Sequence, residues 1–202
     1  MLKSMPEKAF PVAVDNESGG KKFTFFDTHE AFFRETAVDE QKNFYEMIKP
    51  NAWCRAYFDI EFYEEKEGGD GNIEEIIQTI EETMCSMWQA EMSNGGGREL
   101  RKEVLMASRQ DLAAKRYKHS YHVIFPEIYC EGNNGRLKEL VRTLGENPKL
   151  QRKGRTGQPM CAIDENVYSK WQNFRMVESC KKTEGWRPGR RAGRGTGLGE
   201  GD

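Results

Sequence analysis

The sequence predicts a mixed domain of β-strands and α-helices, compatible with an α+β fold. Residues 54–63 and 118–125 alternate polar and apolar side chains at the spacing of a strand. Residues 72–92 instead place isoleucine, methionine and tryptophan at helical spacing, with glutamates between them. Side chains alternate across a strand but recur every three to four residues on one face of a helix, so the two periods distinguish these elements. The patterns do not by themselves single out one α+β fold.

Caps, turns and shorter apolar runs predict the other elements in chain order. Before the first alternating strand we expect a flexible lead-in over 1–19 and then a strand over Lys22–Phe26. A helix capped by Asp27 or Thr28 should run to Phe33, and a second helix over 38–48 should end at Pro50. After the first alternating strand we expect the helix over 72–92, capped by Asn72 and stopped by the glycines at 94–97. A strand over 103–108 should form a hairpin with 118–125. A helix over 136–144 and strand-like stretches from 160 and over 173–177 should follow.

Composition narrows the class of protein. The chain has 202 residues and a net charge of −2, so it is not a uniformly basic nucleic-acid binder, although its last third is basic. Five scattered cysteines and three histidines do not support a Cys/His zinc cluster. No apolar run has the length of a membrane span. These features predict one globular domain with free thiols in a reducing compartment, nuclear or cytosolic.

The most informative residues are Asp59 and Glu61, two carboxylates on one face of the first alternating strand. Phe58, Ile60 and Phe62 point to the opposite, apolar face. Two neighbouring negative charges beside a buried row are unfavourable unless a cation lies between them, and hard oxygen ligands suit Mg²⁺ or Mn²⁺. The alternative is an amphipathic strand with a solvated acidic face.

The second alternating strand carries Lys118, Ser120 and His122 on one face. A cation, a hydroxyl and an imidazole can all donate to phosphate oxygens, so this row is a candidate oxyanion site. Further along, Asp164 ends a short apolar run and Arg175 lies on another strand-like stretch. The alternatives are a surface histidine, a helix-capping aspartate and a solvated arginine.

Taken together, the segments resemble the three motifs of the archaeo-eukaryotic primase superfamily, most closely its primase-polymerase branch. They read Asp59-Ile60-Glu61, then Ser120-Tyr121-His122, then Ile163-Asp164 followed by Val167-Tyr168 and Asn173-Phe174-Arg175. The lead-in Asn51–Phe58 and the lysine two residues before Ser120 are also similar. The resemblance covers roughly residues 20 to 182.

The resemblance implies a fold and a set of partners. The fold would be α+β, with an RRM-like, mainly antiparallel catalytic sheet, helices on its back, and a small N-terminal α/β module. The catalytic core would span 20–184, and the Gly/Arg-rich tail at 185–202 would be disordered. The partners would be a single-stranded DNA template and primer and (deoxy)nucleoside triphosphates. Members of the resembled branch usually carry a Cys/His zinc module, but the few cysteines and histidines predict no structural zinc in this chain, and the lack of a long apolar run predicts no membrane contact. The compartment would be nuclear, with the mitochondrion second.

The resemblance also implies a DNA primase/polymerase, acting in replication restart or damage tolerance. Two Mn²⁺ or Mg²⁺ ions would be held by Asp59, Glu61 and Asp164. The expected nucleotide-binding residues are Lys22, Lys118, Ser120, His122, Arg175 and Lys181. Two other functions remain open at this point: a metal-dependent nuclease using the same acids, and a nucleic-acid-binding module that has lost catalysis.

Overall fold

The computed structural model describes residues 6, 8–16, 18, 20–39, 42–65, 71–88, 100–176, 179 and 190–191, with only the backbone for the last pair. Over these residues the chain forms two larger antiparallel sheets, one small hairpin and three α-helices. The predicted α+β class, with mainly antiparallel pairing, is confirmed. None of the described helices is long and apolar enough to cross a membrane.

The first sheet, sheet A, has four strands in the order β10-β3-β1-β2. The strands are β1 Phe10–Asp15, β2 Lys21–Phe26, β3 Phe44–Ile48 and β10 Gln172–Arg175. Helix α1, His29–Thr36, packs Phe32 against Phe10, Val12 and Phe44 on one face of this sheet. Sheet A thus joins three strands from residues 10–48 with one strand, β10, from residues 172–175.

Two predictions for segments of sheet A were wrong. Residues 10–15, expected within a flexible lead-in, form β1, in which Val12 and Ala13 are fully buried between two neighbouring strands. Phe44–Ile48, expected in a helix, form β3, because the segment has apolar side chains on both faces and pairs with β1 and β10. Tertiary pairing outweighs weak local helix propensity in such short apolar runs. The predicted cap is confirmed: the Thr28 hydroxyl accepts from the Ala31 N–H at 3.1 Å.

The second sheet, sheet B, has the order β11-β5-β7-β4, and a short strand, β6, also pairs with β7. The strands are β4 Trp53–Glu64, β5 Glu103–Met106, β6 Arg109–Asp111, β7 Arg116–Glu131 and β11 Arg190–Arg191. The predicted strands at 54–63, 103–108 and 118–125 are all present, and β4 and β7 extend beyond their predicted ends. The pair at 190–191 lies within the expected disordered tail, and the rest of that tail is outside the described residues.

The main core lies between sheet B and two helices, α2 (Ile73–Met87) and α3 (Leu137–Gly145). Phe58, Ile60 and Phe62 of β4 point into it and are fully buried. The predicted apolar stripe of α2 packs there too. Asn72 precedes α2 in a left-handed conformation and its side chain makes no cap hydrogen bond, donating instead to the Glu75 carboxylate at 2.8 Å. The predicted glycine stop at 94–97 lies outside the described residues.

A hairpin of β8 (Gln151–Lys153) and β9 (Pro159–Cys161) follows α3 and leads back to sheet B. The chain then runs beside β4, where Ile163 forms a single antiparallel bridge to Ile60. A short 3₁₀ turn at Glu165–Val167 carries it on to β10. This return path brings the third sequence motif beside the first.

Candidate active site

Three acidic side chains share one face of sheet B. The Glu61 N–H donates to the Ala162 carbonyl at 2.7 Å, and the Asp164 N–H donates to the Asp59 carbonyl at 2.8 Å. With Ile60 opposite Ile163, these bonds set Asp59 directly across from Asp164. Because Ile60 points into the core, its neighbours in the strand point to the other face, and so does Asp164. The structure therefore places the three predicted carboxylates on one sheet face, with Asp59 and Asp164 at opposed backbone positions.

Asp59 lies where a charged carboxylate is unfavourable. Its side chain is about one-fifth exposed. Burial, and then the neighbouring Asp164 and Glu61 carboxylates, raise the pKa of Asp59 to about 7, although Lys118 and Arg175 act in the opposite direction. A carboxylate in such a position gains from a nearby cation, because a cation offsets both the desolvation and the repulsion.

The other two acids have partners of their own. Glu61 Oε2 lies 2.6 Å from the Lys118 ammonium. Asp164 Oδ1 accepts from the backbone N–H of Asn166 at 2.9 Å and from its side-chain amide at 2.8 Å, so Asp164 also caps the 3₁₀ turn, as the simpler alternative predicted. Among the described residues no three His, Cys, Asp or Glu side chains stand close enough together to hold a metal ion as they are oriented here.

The donor set nevertheless fits Mg²⁺ or Mn²⁺ in its chemistry. All three side chains offer carboxylate oxygens, the ligands these ions prefer, and they project from two adjacent chain segments on one sheet face. The buried carboxyl of Asp59 is the observation that calls for a cation. Asp59, Glu61 and Asp164 are thus the residues that would hold the ions.

The predicted oxyanion row lies beside the acids. On β7, Lys118, Ser120 and His122 stand opposite Tyr63, Glu61 and Asp59 of β4, so the row shares the acidic face. His122 Nε2 is 3.8 Å from Asp59 Oδ1, and its ring packs on Phe174 with centroids 4.3 Å apart. Burial, with a contribution from Arg175, lowers the pKa of His122 to about 4, so the imidazole is neutral at pH 7.

Arg175 reaches this face from sheet A. Its charge lowers the pKa of both Asp59 and His122. Its Nε is buried and has no hydrogen-bond partner among the residues that the structure describes. An unpaired guanidinium nitrogen beside carboxylates and an imidazole is well suited to an anionic ligand, because guanidinium pairs with phosphate through two parallel hydrogen bonds.

For two predicted nucleotide contacts, Lys22 and Lys181, the described residues give no contact with the acids, and both stay predictions. Lys22 pairs with Val14 and shares the face of sheet A that packs on α1, whereas Arg175 pairs with Tyr45 on the opposite face. The lysine on the Arg175 face is Lys21, whose ammonium lies 3.3 Å above the Tyr45 ring. Consecutive residues of a strand point to opposite faces, so a shift of one position moves the side chain across the sheet. Lys181 lies outside the described residues.

Lys21 and Tyr45 form a polar cluster with Asp15 on sheet A. Lys21 Nζ is 2.7 Å from Asp15 Oδ1, and the Tyr45 hydroxyl donates to Asp15 Oδ2 at 3.0 Å. Arg175 stands over the same ring, with Cζ 6.0 Å from its centroid. Two cations therefore stand around one aromatic ring on this face of sheet A. No sequence signal indicated this, because β1 and β3 were not recognised as strands.

A buried hydrogen-bond network positions the segment that carries Asp164. The Tyr168 hydroxyl donates to the Tyr57 carbonyl at 2.8 Å, and the Tyr57 hydroxyl donates to the Val167 carbonyl at 2.7 Å. The Asn133 amide donates to the Ser169 carbonyl at 2.9 Å. Buried polar groups satisfied in this way fix one arrangement of the chain, so the network sets the position of Asp164 relative to Asp59. Tyr57 was detectable in the sequence as a polar-tipped residue on the acidic face.

The opposed pKa shifts of Asp59 and His122 predict a specific dependence of stability on pH. Between about pH 4 and 7 native Asp59 keeps a proton that the unfolded chain releases at its ordinary pKa of 3.8, so its contribution falls as pH rises. Between about pH 4 and 6.5 native His122 lacks a proton that the unfolded chain binds, so its contribution rises. In the wild type the two contributions cancel up to about pH 6.5.

Replacing either residue should therefore leave the contribution of the other residue visible in the pH dependence of the free energy of unfolding. In urea unfolding without divalent metal, Asp59→Asn should give a free energy of unfolding that increases from pH 4 to 6.5. His122→Asn should give one that decreases from pH 4 to 7, each by at most about 1.4 kcal/mol per pH unit. Parallel profiles for the wild type and both variants would contradict the assignment of the two shifts.

None of the protein-family models matches this chain, and no curated protein matches it. The geometry of the site is therefore the ground for a functional conclusion.

Proposed function

We propose that this protein is a template-directed nucleotidyltransferase of the primase-polymerase type, which adds nucleotides to a 3′ end on a single-stranded template. The observation that carries the proposal is the direct opposition of Asp59 and Asp164, with Glu61 on the same face, beside a row of side chains that can donate hydrogen bonds to phosphate. A carboxylate cluster next to an oxyanion site is what transfer of a nucleoside phosphate requires.

In this proposal sheet B is the RRM-like catalytic sheet and sheet A completes the nucleotide cleft. Asp59, Glu61 and Asp164 would hold two divalent ions, which would supply activation of the attacking 3′ hydroxyl and charge neutralisation on the triphosphate. Lys118, Ser120, His122 and Arg175 orient the triphosphate: two provide charge, and the hydroxyl and the neutral imidazole donate hydrogen bonds. The residues contribute positioning and charge neutralisation, without a covalent intermediate.

The acids alone would equally serve a nuclease, but the row on β7 favours transfer. Hydrolysis of a nucleic-acid backbone needs the carboxylates and water, and it has no use for three further side chains that bind a terminal triphosphate. A pure binding module would not need a buried carboxylate facing another across two adjacent chain segments, because that arrangement is destabilising in itself.

The test is extension of a 5′-labelled primer annealed to a single-stranded DNA template. With Mn²⁺ or Mg²⁺ and the four nucleoside triphosphates, either deoxy or ribo, we expect longer products, and with nucleotides omitted we expect an unchanged primer. Asp164→Asn is the variant that should lose extension while still binding template. A primer that becomes shorter without nucleotides would identify a nuclease, and an unchanged primer under every condition would overturn the proposal.

A further inference from the structure

The shortest ion pair of the site joins the phosphate-binding row to the carboxylate cluster. Lys118 Nζ is 2.6 Å from Glu61 Oε2, with the lysine side chain 15% exposed and the glutamate 36% exposed. Lys118 stands opposite Tyr63, one alternate position further along β4 than Glu61, so its side chain crosses diagonally to reach the carboxylate. Both side chains are partly buried, and a partly buried ion pair is stronger than one on an open surface.

This contact accounts for the orientation of the acids. Asp59 and Asp164 face each other directly, but Glu61 is held by the ammonium, and no three of the described carboxylate, imidazole or thiol groups converge. An ammonium at 2.6 Å also takes up part of the negative charge that would attract a divalent ion. For Glu61 to join Asp59 and Asp164 around an ion, its contact with Lys118 must be given up.

We propose that Lys118 is the resident counter-ion of the carboxylate cluster, that a divalent cation displaces it from Glu61, and that the displaced ammonium becomes a ligand of the triphosphate. The inference rests on the proposed function and adds a regulation of the same site. The ammonium and the dication repel each other at close range, so metal binding without phosphate is weakened. Phosphate oxygens give Lys118 a new partner, and the two ligands therefore bind with positive coupling.

The first test measures Mn²⁺ binding alone, without nucleotide or template, by the electron paramagnetic resonance signal of the free ion. Lys118→Met removes the charge and keeps the length of the side chain. We expect this variant to bind Mn²⁺ roughly tenfold more tightly than the wild type, equivalent to about 1.4 kcal/mol. The matched control is Lys102→Met, because Lys102 makes a similar pair with Glu81 of α2, at 2.8 Å and away from the site. The control should leave Mn²⁺ affinity unchanged.

The second test needs no variant, so a misfolded Lys118→Met protein would not block it. The wild-type chain is labelled with acetic anhydride with and without saturating MnCl₂, and acetylation of each lysine is read by peptide mass spectrometry. We expect Mn²⁺ to increase acetylation of Lys118, because its amine loses the Glu61 contact. Acetylation of Lys102 in the same sample should not change.

The outcomes separate this inference from the proposed function. If the wild type binds Mn²⁺ and extends primers, but Lys118→Met binds Mn²⁺ no more tightly and Lys118 labelling does not respond to the metal, the exchange is wrong and the proposed function remains. If neither the wild type nor Lys118→Met binds Mn²⁺ at millimolar concentration, the exchange is overturned, and the proposed function is decided by primer extension alone. Tighter binding by Lys118→Met together with metal-dependent labelling of Lys118 supports the exchange.

Discussion

Replacing Asp59 with Asn and Glu61 with Gln in one chain should abolish nucleotide incorporation while the protein stays folded. Loss of a single electrostatic group in an active site commonly reduces turnover by about 10²–10³-fold, and this variant loses two candidate metal ligands. We expect incorporation to fall by more than roughly 10³-fold in the primer-extension assay. The amides keep the shape of the acids, and the amide oxygen that replaces the Glu61 carboxylate can still accept a hydrogen bond from Lys118.

Unlike its activity, the thermal stability of this double variant should not decrease. Asp59 is destabilised at neutral pH by burial and by two neighbouring carboxylates, so neutral side chains relieve that repulsion and the thermal midpoint should stay equal or rise. Glu81→Gln is the matched control: it neutralises a carboxylate that also pairs with a lysine at 2.8 Å, but on α2. It should retain activity. Normal incorporation by the double variant would show that these acids do not hold catalytic metal.

Arg175→Met should raise the KM for the incoming nucleotide with a smaller effect on kcat. Arg175 is the cation that sheet A contributes to the acidic face, and its buried Nε is available to an anionic ligand. A hydrogen bond to a charged group contributes about 1.5–3 kcal/mol, which corresponds to a roughly 10- to 150-fold rise in KM. The measurement is single-nucleotide incorporation at varied nucleotide concentration and saturating template.

Arg175→Lys distinguishes the charge from the shape of the guanidinium. The lysine keeps one positive charge but cannot form two parallel hydrogen bonds with a phosphate, so its KM should lie between those of the wild type and the methionine variant. Template affinity, measured by fluorescence anisotropy with a labelled single strand, should be nearly the same for all three proteins. A variant that loses template affinity and keeps its nucleotide KM would place Arg175 on the nucleic acid instead.

Local patterns in the sequence were sufficient for the elements that carry most of the site. The alternation over 54–63 and 118–125 predicted β4 and β7 and placed Asp59 with Glu61, and Lys118 with Ser120 and His122, on shared faces. The apolar stripe predicted α2 against the opposite face of the sheet. These predictions succeeded because the period of side-chain direction is a property of each element alone and is visible in one stretch of residues.

Two strands could not be predicted from local sequence patterns. Phe10–Asp15 and Phe44–Ile48 are five or six residues long, and Phe44–Ile48 is apolar on both faces, so it shows no alternation to distinguish it from a helix. Their partners lie elsewhere in the chain, and β3 pairs with β10 across more than 120 residues of sequence. Likewise, only the pairing of β1 with β2 fixes which face of sheet A each of Lys21 and Lys22 occupies, with Lys21 on the face of Tyr45.

The sequence by itself determined which side chains share a face within each strand, and hence the two halves of the candidate site on β4 and β7. Only the tertiary structure decided that Asp164 stands opposite Asp59, that Glu61 is engaged by Lys118, and that Arg175 arrives from a second sheet. The physical reason is that the face a side chain occupies follows from the local period of the backbone. Which residue lies beside it follows from the hydrogen-bond register between segments distant in sequence. That register is set by burial of the whole core, which no single segment encodes.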